Sequence, residues 1–310
     1  MGSITGHSVQ NEATGTPRLT FAIPYYSHPH YLIEAVESVL AQSNPNWLLR
    51  IYDDNPTHPL DPGMLAPYLT DPRIAYVANP EHLGLGGNWN QCLGQCSTEL
   101  LTILHADDGL LPHYLQFMLD AFERDDNAWA VFCRAEIMGP DGQRAWNLAD
   151  EVKRLLRPRG AQYCLSGEAG ADALLRGNFI MCPTICYHMG RIGGLRFDSD
   201  WRMVLDLDFY LRLLLDGGVL RGYRELAYRY RRHPENQSAR LNVNLQRFEE
   251  EVALYRKYAD LLEERSWSRA AVTAHRCRIV KLHLLYLALA DLMGMQWRSM
   301  SSKLALLQRI

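Results

Sequence analysis

The stretch Leu100-Leu101-Thr102-Ile103-Leu104 contains neither Gly nor Pro and stops abruptly at His105-Ala106-Asp107-Asp108-Gly109. Such a run reads as a strand buried on both faces, which occurs where helices cover both sides of a sheet. In an open α/β sheet ligands bind beyond the carboxyl ends of the strands, where side chains are held by a rigid scaffold yet open to water. Two adjacent carboxylates repel each other unless a cation or a donor lies between them, so a hard divalent metal is their natural partner. The other reading is an Asp-Asp-Gly turn leading into a helix at Leu111-Pro112, capped by Asp108 or a neighbour. On this segment alone both readings stand.

The surrounding chain supplies the sheet. Strands are predicted over residues 19–23, 48–52, 74–77, 100–104 and 128–133, with helices over 31–42, 86–96 and 114–124 between them. Strands alternating with helices predict a mostly parallel sheet, because parallel neighbours need a crossover. The second strand ends in Asp53-Asp54-Asn55, so two strands end in acids at one edge. Beyond Cys133 the pattern loosens until a helix over 206–215 that ends at Gly217-Gly218. From Arg240 onward three amphipathic helices are predicted, over 241–264, 268–291 and 294–308, packing on each other or on the sheet.

A chain of 310 residues can bury one large core, or one core plus an appended helical unit. With 47% apolar and 22% charged residues it reads as a soluble globular protein, and a net charge of −3 lacks the broad basic footprint of a nucleic-acid binder. The seven cysteines include no close CxxC pair, which argues against zinc and for small buried hydrophobes in a reducing cytosol. Residues 1–16 are polar without an apolar h-region, and read as a flexible tail rather than a signal peptide or anchor. The nearest approach to a membrane span, residues 279–297, is interrupted by Lys281, His283 and Asp291, so no transmembrane segment is expected.

The segment Leu83-Gly84-Leu85-Gly86-Gly87-Asn88-Trp89-Asn90 superficially suggests a dinucleotide fingerprint. That fingerprint needs a third glycine where Trp89 stands, and an indole there blocks close helix–strand packing. The dinucleotide reading fails on that residue.

Phe21-Ala22-Ile23-Pro24-Tyr25-Tyr26-Ser27, the helix containing Ala35-Val36-Glu37-Ser38-Val39-Leu40, Tyr52-Asp53-Asp54-Asn55, residues 79–90 and Leu104-His105-Ala106-Asp107-Asp108 follow one another in a distinctive order and spacing. This ordered set resembles family 2 glycosyltransferases of the GT-A fold. The resemblance covers about residues 18–240. It implies an α/β nucleotide-diphospho-sugar transferase with a mostly parallel central sheet flanked by helices and a C-terminal helical extension. Residues 1–17 would be a tail, 18–133 the nucleotide-sugar half, 134–240 the acceptor half and 241–310 the helical region. It also implies a nucleotide-sugar donor, a divalent metal (Mn²⁺ or Mg²⁺) and inversion at the anomeric carbon.

By the same resemblance Pro24, Tyr25 and Tyr26 border the nucleotide base, where an aromatic face can stack at roughly 1–3 kcal/mol. Asp53 would accept from the base imide and Asp54 would lie nearer the ribose, and an Asx turn through Asp54-Asn55-Pro56 is compatible with that role. Gly84, Asn88 and Asn90 would stand beside the nucleotide. His105-Ala106-Asp107 occupies the place of the family's Asp-x-Asp motif, making Asp107 the metal ligand. His105 is left to bind ribose or metal, or to hydrogen-bond Asp107. Asp206 matches the general base, with Leu205 in place of the family's Glu. Asp208, about 200° around a helix from Asp206, would be a helix-terminal charge. His233 would close on the metal or diphosphate, with Arg231 and Arg232 offsetting phosphate charge. Residues 178–184 and Trp201 resemble acceptor-facing regions.

The expectation is a hexosyl or N-acetylhexosaminyl transferase using a UDP-sugar and a saccharide, lipid-linked or other hydroxyl acceptor. A sugar-phosphate nucleotidyltransferase would need a Gly-rich, basic loop after the first strand, and residues 24–30 contain neither Gly nor Lys/Arg. A catalytically silent nucleotide-sugar-binding subunit is the other alternative, motivated by His105 and Leu205. The C-terminal helices would form a homodimer, support the core, or lie on an anionic membrane through Arg276, Arg278, Lys281, Arg298, Lys303 and Arg309, a solvated face being the commoner explanation. The expected location is the cytoplasm or the inner face of its membrane.

Overall fold

A computed structural model describes residues 15–145, 155–234 and 245–310. Most of the expected tail, and the part of the predicted late loop and helix at residues 235–244, lie outside the described residues.

In chain order the elements are β1 (Leu19–Tyr25), α1 (Pro29–Leu40), β2 (Trp47–Asp53), α2 (Pro62–Leu65), β3 (Ile74–Ala78), α3 (Gly84–Gly94), β4 (Leu100–Ile103), β5 (Gly109–Leu110) and α4 (Tyr114–Arg124). Then come β6 (Ala130–Met138), β7 (Gln162–Ser166), α5 (Gly167–Leu175), β8 (Ile185–His188), α6 (Met189–Ile192), α7 (Leu205–Leu215) and β9 (Val219–Arg231). Four helices follow, α8 (Gln246–Glu264), α9 (Ser268–Arg276), α10 (Arg278–Met293) and α11 (Trp297–Leu307). One sheet has the order β3-β2-β1-β4-β8-β6-β9-β5, with β7 paired to β9.

The predicted β-α alternation holds where the periodicity is strongest. Strands β3, β2, β1 and β4 are all parallel neighbours. On the far side the sheet is mixed: β8 runs antiparallel to β4 and β6, whereas β6 and β9 are parallel. Alternation along β1 divides the core. Leu19, Phe21 and Ile23 face the cluster under α1 and α4, whereas Ala22 faces a second cluster with α3, α5 and α7. That second cluster also contains Tyr255, Tyr258, Ala271 and Leu284, so the C-terminal helices pack on one face of the sheet assembly through shared core.

The largest departures from the sequence reading are two. The 13-residue β9 was not predicted, because Val219-Leu220-Arg221-Gly222-Tyr223-Arg224-Glu225 breaks the alternation with charges and a glycine. Its burial comes from β6 and β7 on either side; at Gly222 a Cβ would stand 2.3 Å from the Tyr163 ring. The predicted helix over 268–291 is also divided, at Cys277, which adopts a left-handed conformation (φ 45°) without the usual Gly or Asn. The buried Ala270, Ala271 and Ala274 and the bonds from Thr273 and Arg269 to Asp172 hold α9 against α5. Tertiary docking has set the end of that helix.

One titratable group sits in this helical layer. Burial, then the charge of Arg247, push the His283 imidazole down to about 4, and its ring lies edge-on to Phe248 at 5.0 Å. A histidine depressed in the folded state contributes stability that is complete above its unfolded value of about 6.5 and is lost as pH falls toward 4. The melting temperature should therefore decline between pH 6.5 and 4.5, and His283→Gln should make that slope shallower. Parallel pH profiles for the two proteins would deny the assignment.

Candidate active site

The parallel strands deliver the strand-end residues to one edge. Tyr25 pairs in register with Asp53, the Asp54 N–H donates to Tyr25 O (2.9 Å), and the Leu104 N–H donates to Ala22 O (2.9 Å). Burial and the neighbouring Asp53 push the Tyr25 hydroxyl up to about 12, and this residue belongs to the core. Tyr26 is instead 52% exposed, with its ring 5.2 Å from that of His82. Of the aromatics following Pro24, Tyr26 alone offers an open face, and His82 is a companion that sequence reasoning missed. Only the return of residues 79–84 to the end of β2 reveals it.

The two acids ending β2 are largely engaged by protein donors. Asp53 Oδ1 accepts from the Asn55 N–H (3.0 Å), and Oδ2 accepts from the Leu60 N–H (2.8 Å) and the Tyr76 hydroxyl (2.7 Å). The Asx turn is thus made by Asp53, not Asp54. A carboxylate has about four lone-pair sites, and these three donors occupy most of those of the buried Asp53. Asp54 accepts from the N–H groups of Leu83 (2.7 Å) and Gly84 (2.9 Å) and from Asn79 Nδ2 (3.0 Å), and pairs with His82 Nδ1 (3.0 Å). It clamps the start of α3 where a ribose contact was expected. Gly84 serves that clamp with φ +73°, and Gly86 lets α3 approach the Ser199 backbone, which a Cβ would meet at 2.9 Å.

The asparagines expected beside the nucleotide also have protein partners. Asn88 Nδ2 donates to Tyr52 O (3.1 Å), while its buried Oδ1 has no partner among the described residues. Asn90 gives both ends of its amide to Phe197: Nδ2 donates to the carbonyl (2.9 Å) and Oδ1 accepts from the N–H (2.7 Å). The Asn90 amide thereby ties the start of α3 to the loop leading into α7. The buried Trp89 reinforces that tie, with ring centroids 5.5 Å from His105 and 5.1 Å from Phe197, which stacks on Phe209 at 4.2 Å.

At the end of β4 the two adjacent acids have opposite environments. Asp108 is buried, accepting from the Arg231 N–H (2.7 Å) and the Tyr228 hydroxyl (3.0 Å). Burial, then the Asp107 charge, push it well above the ordinary carboxyl range. It does not cap the following helix, whose N-cap position is His113. For Asp107 burial acts upward too, but the His233 hydrogen bond and the nearby His105 and His233 rings outweigh it and hold the carboxyl below its usual value. His233 Nε2 lies 2.9 Å from Asp107 Oδ2, and its ring is flanked by His28 (5.4 Å) and Tyr31 (5.1 Å).

Arg231 was expected to offset phosphate charge, and the structure assigns it elsewhere. It is 2% exposed; Nε donates to Asp107 O (2.8 Å), Nη1 to Pro140 O (3.1 Å), and Nη2 meets Glu34, with the guanidinium over the Tyr31 ring. It bolts the strand-end turn to α1 and β9.

His105, Asp107 and Asp108 each place one potential ligand atom within 4.8 Å of the others. Burial pushes the His105 imidazole down against the attraction of Asp107, and its buried Nε2 has no hydrogen-bond partner among the described residues. An anionic carboxylate beside an imidazole with an unengaged nitrogen fits a divalent transition ion.

On the acceptor side Asp206 stands in the first turn of α7. Its Oδ2 accepts from Asn178 Nδ2 (3.0 Å) and its Oδ1 from the Leu207 N–H (2.8 Å). Asp208 points into the protein, where it takes Arg212 Nε (2.7 Å), Lys257 Nζ (3.0 Å) and the Tyr258 hydroxyl (3.0 Å). Glu250 Oε2 accepts the N–H groups of Arg202 (2.9 Å) and Met203 (2.8 Å). Helix α8 therefore holds both α7 and the loop before it; Asp208 is more than the helix-terminal charge the spacing suggested. Asp208→Ala should destabilise the chain toward the lower end of the ~3–5 kcal/mol typical of broken buried pairs, because Lys257 remains partly in water. A urea midpoint within error of wild type would contradict that anchor.

The mixed α/β sheet with its parallel strand edge and flanking helices is that of the GT-A fold. The chain belongs to glycosyl transferase family 2, whose sequence model matches residues 20–182. An uncharacterized glycosyltransferase of Methanocaldococcus jannaschii is 29% identical over 217 residues, 69% of this chain and 71% of that protein. Among solved structures, S. aureus TarS 1–349 superposes with a TM-score of 0.60 at 14% identity, covering 84% of this chain and 71% of its own. The mannosyltransferase PcManGT of Pyrobaculum calidifontis, solved with GDP-Man and Mn²⁺, gives 0.58 at 15% identity and covers 96% and 87%. Among the described residues no helix is long and apolar enough to cross a membrane.

Proposed function

We propose that this chain transfers a hexosyl or N-acetylhexosaminyl group from a UDP-sugar to an acceptor hydroxyl with inversion. The observation that carries the reading is Asp107, kept anionic at the end of β4 and joined to His233 at 2.9 Å. Asp107, His233 and the unengaged His105 nitrogen would hold a divalent cation, Mn²⁺ or Mg²⁺. When bound, that cation supplies Lewis-acid stabilisation of the departing nucleoside diphosphate. The Tyr26 face, with His82 beside it, receives the base, and the remaining acceptor site of Asp53 meets its imide N–H.

Asp206 is the general base. Its carboxylate takes the proton as the acceptor oxygen bonds to the anomeric carbon and the bond from that carbon to the diphosphate oxygen breaks. The Asn178 bond and the tie from Asp206 to its own helix N-terminus limit the rotamers open to that carboxylate. TarS has been solved with UDP-GlcNAc and PcManGT with GDP-Man, which motivates offering UDP- and GDP-sugars side by side. The test is transfer and donor hydrolysis with Mn²⁺ or Mg²⁺, with and without chelator. Metal-sensitive use of a UDP-sugar is expected. Tight UDP binding without turnover across a broad acceptor panel would favour a silent binding subunit instead.

A further inference from the structure

Helix α10 is apolar on both sides. Val280, Leu284 and Ala288 are buried against the protein, while Leu282, Leu285, Tyr286, Leu289 and Met293 are 42–80% exposed. At 3.6 residues per turn these five fall within an arc of about 100°, which is the width of a helix face that normally meets a partner. The turn into α11 extends the stripe with Met295 and Trp297, 75% and 59% exposed. A helix apolar all round belongs in a core or in lipid, and a contiguous exposed stripe on an otherwise charged surface marks an interaction site.

The charge around the stripe selects its occupant. Residues 278–310 carry five Lys/Arg (Arg278, Lys281, Arg298, Lys303 and Arg309) and one acid, in a chain whose net charge is −3. The acid, Asp291, is already paired with Lys303 at 2.5 Å. The segment that bears the apolar stripe is thus basic, within a chain that is acidic overall. A two-fold dimer through α10 would bring that basic segment against itself, and like charges across an interface oppose association. Tyr286 and Trp297 have the amphipathic rings favoured at a lipid–water boundary. At 16 residues, or about 24 Å, α10 is too short to span a bilayer and long enough to lie along one.

We propose that the exposed face of α10 and the turn into α11 dock on an anionic bilayer surface, inserting the apolar stripe while Arg278 and Arg298 meet lipid phosphates. The docked layer lies behind the acceptor side. Ile279, at the start of α10, together with Leu156, closes the space at Gly177, next to the Asn178 that holds Asp206. The proposal rests on exposure and charge alone, so it stands or falls independently of the catalytic reading.

The test is flotation of the full chain with vesicles of phosphatidylcholine alone, or of phosphatidylcholine mixed with phosphatidylglycerol, at low and high salt. The chain should float with the anionic vesicles, remain behind with the neutral ones, and release as salt screens the contact. Arg278→Gln with Arg298→Gln should weaken binding on the order of 25-fold, about fivefold for each charge near the surface. Leu285→Ser, Leu289→Ser and Met293→Ser together should abolish flotation without changing the melting temperature. Absence of flotation with the anionic vesicles, equal flotation with the neutral ones, or flotation unaltered in the charge variant overturns the proposal. So does a dimer seen by sedimentation without lipid that the serine substitutions dissociate, because the stripe would then be a protein interface.

Discussion

Asp206→Asn should lower transfer by about 10²–10⁴-fold while leaving UDP affinity unchanged, the range expected for removing a general base. Asn is nearly isosteric, so its side-chain oxygen can still accept from Asn178 or from the Leu207 N–H, two of the bonds that orient Asp206. The substitution removes the negative charge and the capacity to take a proton, and keeps one of the two acceptor oxygens. Asn178→Ala provides the graded comparison. Losing the 3.0 Å contact frees the carboxylate to rotate but keeps its basicity, so turnover should fall less than in Asp206→Asn. Calorimetry with UDP beside steady-state transfer rates separates the two effects. Transfer at the wild-type rate in Asp206→Asn would remove Asp206 from the mechanism.

Asp107→Asn should abolish the response to Mn²⁺ and cut transfer by on the order of 10²–10³-fold, equivalent to the several kcal/mol a metal Lewis acid contributes. The melting temperature should hardly move, because Asp107 is part-exposed and its His233 contact is replaceable by an amide oxygen. Asp108→Ala should behave in the opposite way. It leaves the Arg231 N–H and the Tyr228 hydroxyl buried without an acceptor, at about 1–3 kcal/mol each, so the damage should appear first as lost stability. Metal titration followed by thermal melts on both variants tells the adjacent acids apart. Equal loss of metal response with unchanged stability in both would mean that Asp108 is a ligand too.

The acids and the histidine differ in how far they could be read from the chain. Strand ends were legible because β1, β2 and β4 are apolar runs that stop at polar residues, and a parallel sheet then aligns their carboxyl edges. That Asp206 stands at the start of an apolar helix was legible from the run that follows it. The engagement of Asp54 by Leu83, Gly84, Asn79 and His82 was not, since those donors return to β2 about thirty residues later. Nor was the pairing of both ends of the Asn90 amide with Phe197, 107 residues away. Strand β9 stayed hidden because its exposed positions are charged and its buried ones owe their burial to β6 and β7.

The sequence by itself determined the β-α order of the parallel half from β1 to β4, the family, and the acids that terminate its strands, because these follow from local periodicity and short-range spacing. The tertiary structure decided which of two neighbouring carboxylates is the available anion. Asp107 and Asp108 are one residue apart and chemically identical, yet His233, 126 residues from Asp107, lowers one, while burial beneath β9 raises the other. Protonation and hydrogen bonding depend on solvent exclusion and on partners that only the folded chain brings within 3 Å. The same is true of α10: its sequence is simply apolar, and only packing separates the face that belongs to the core from the face left open.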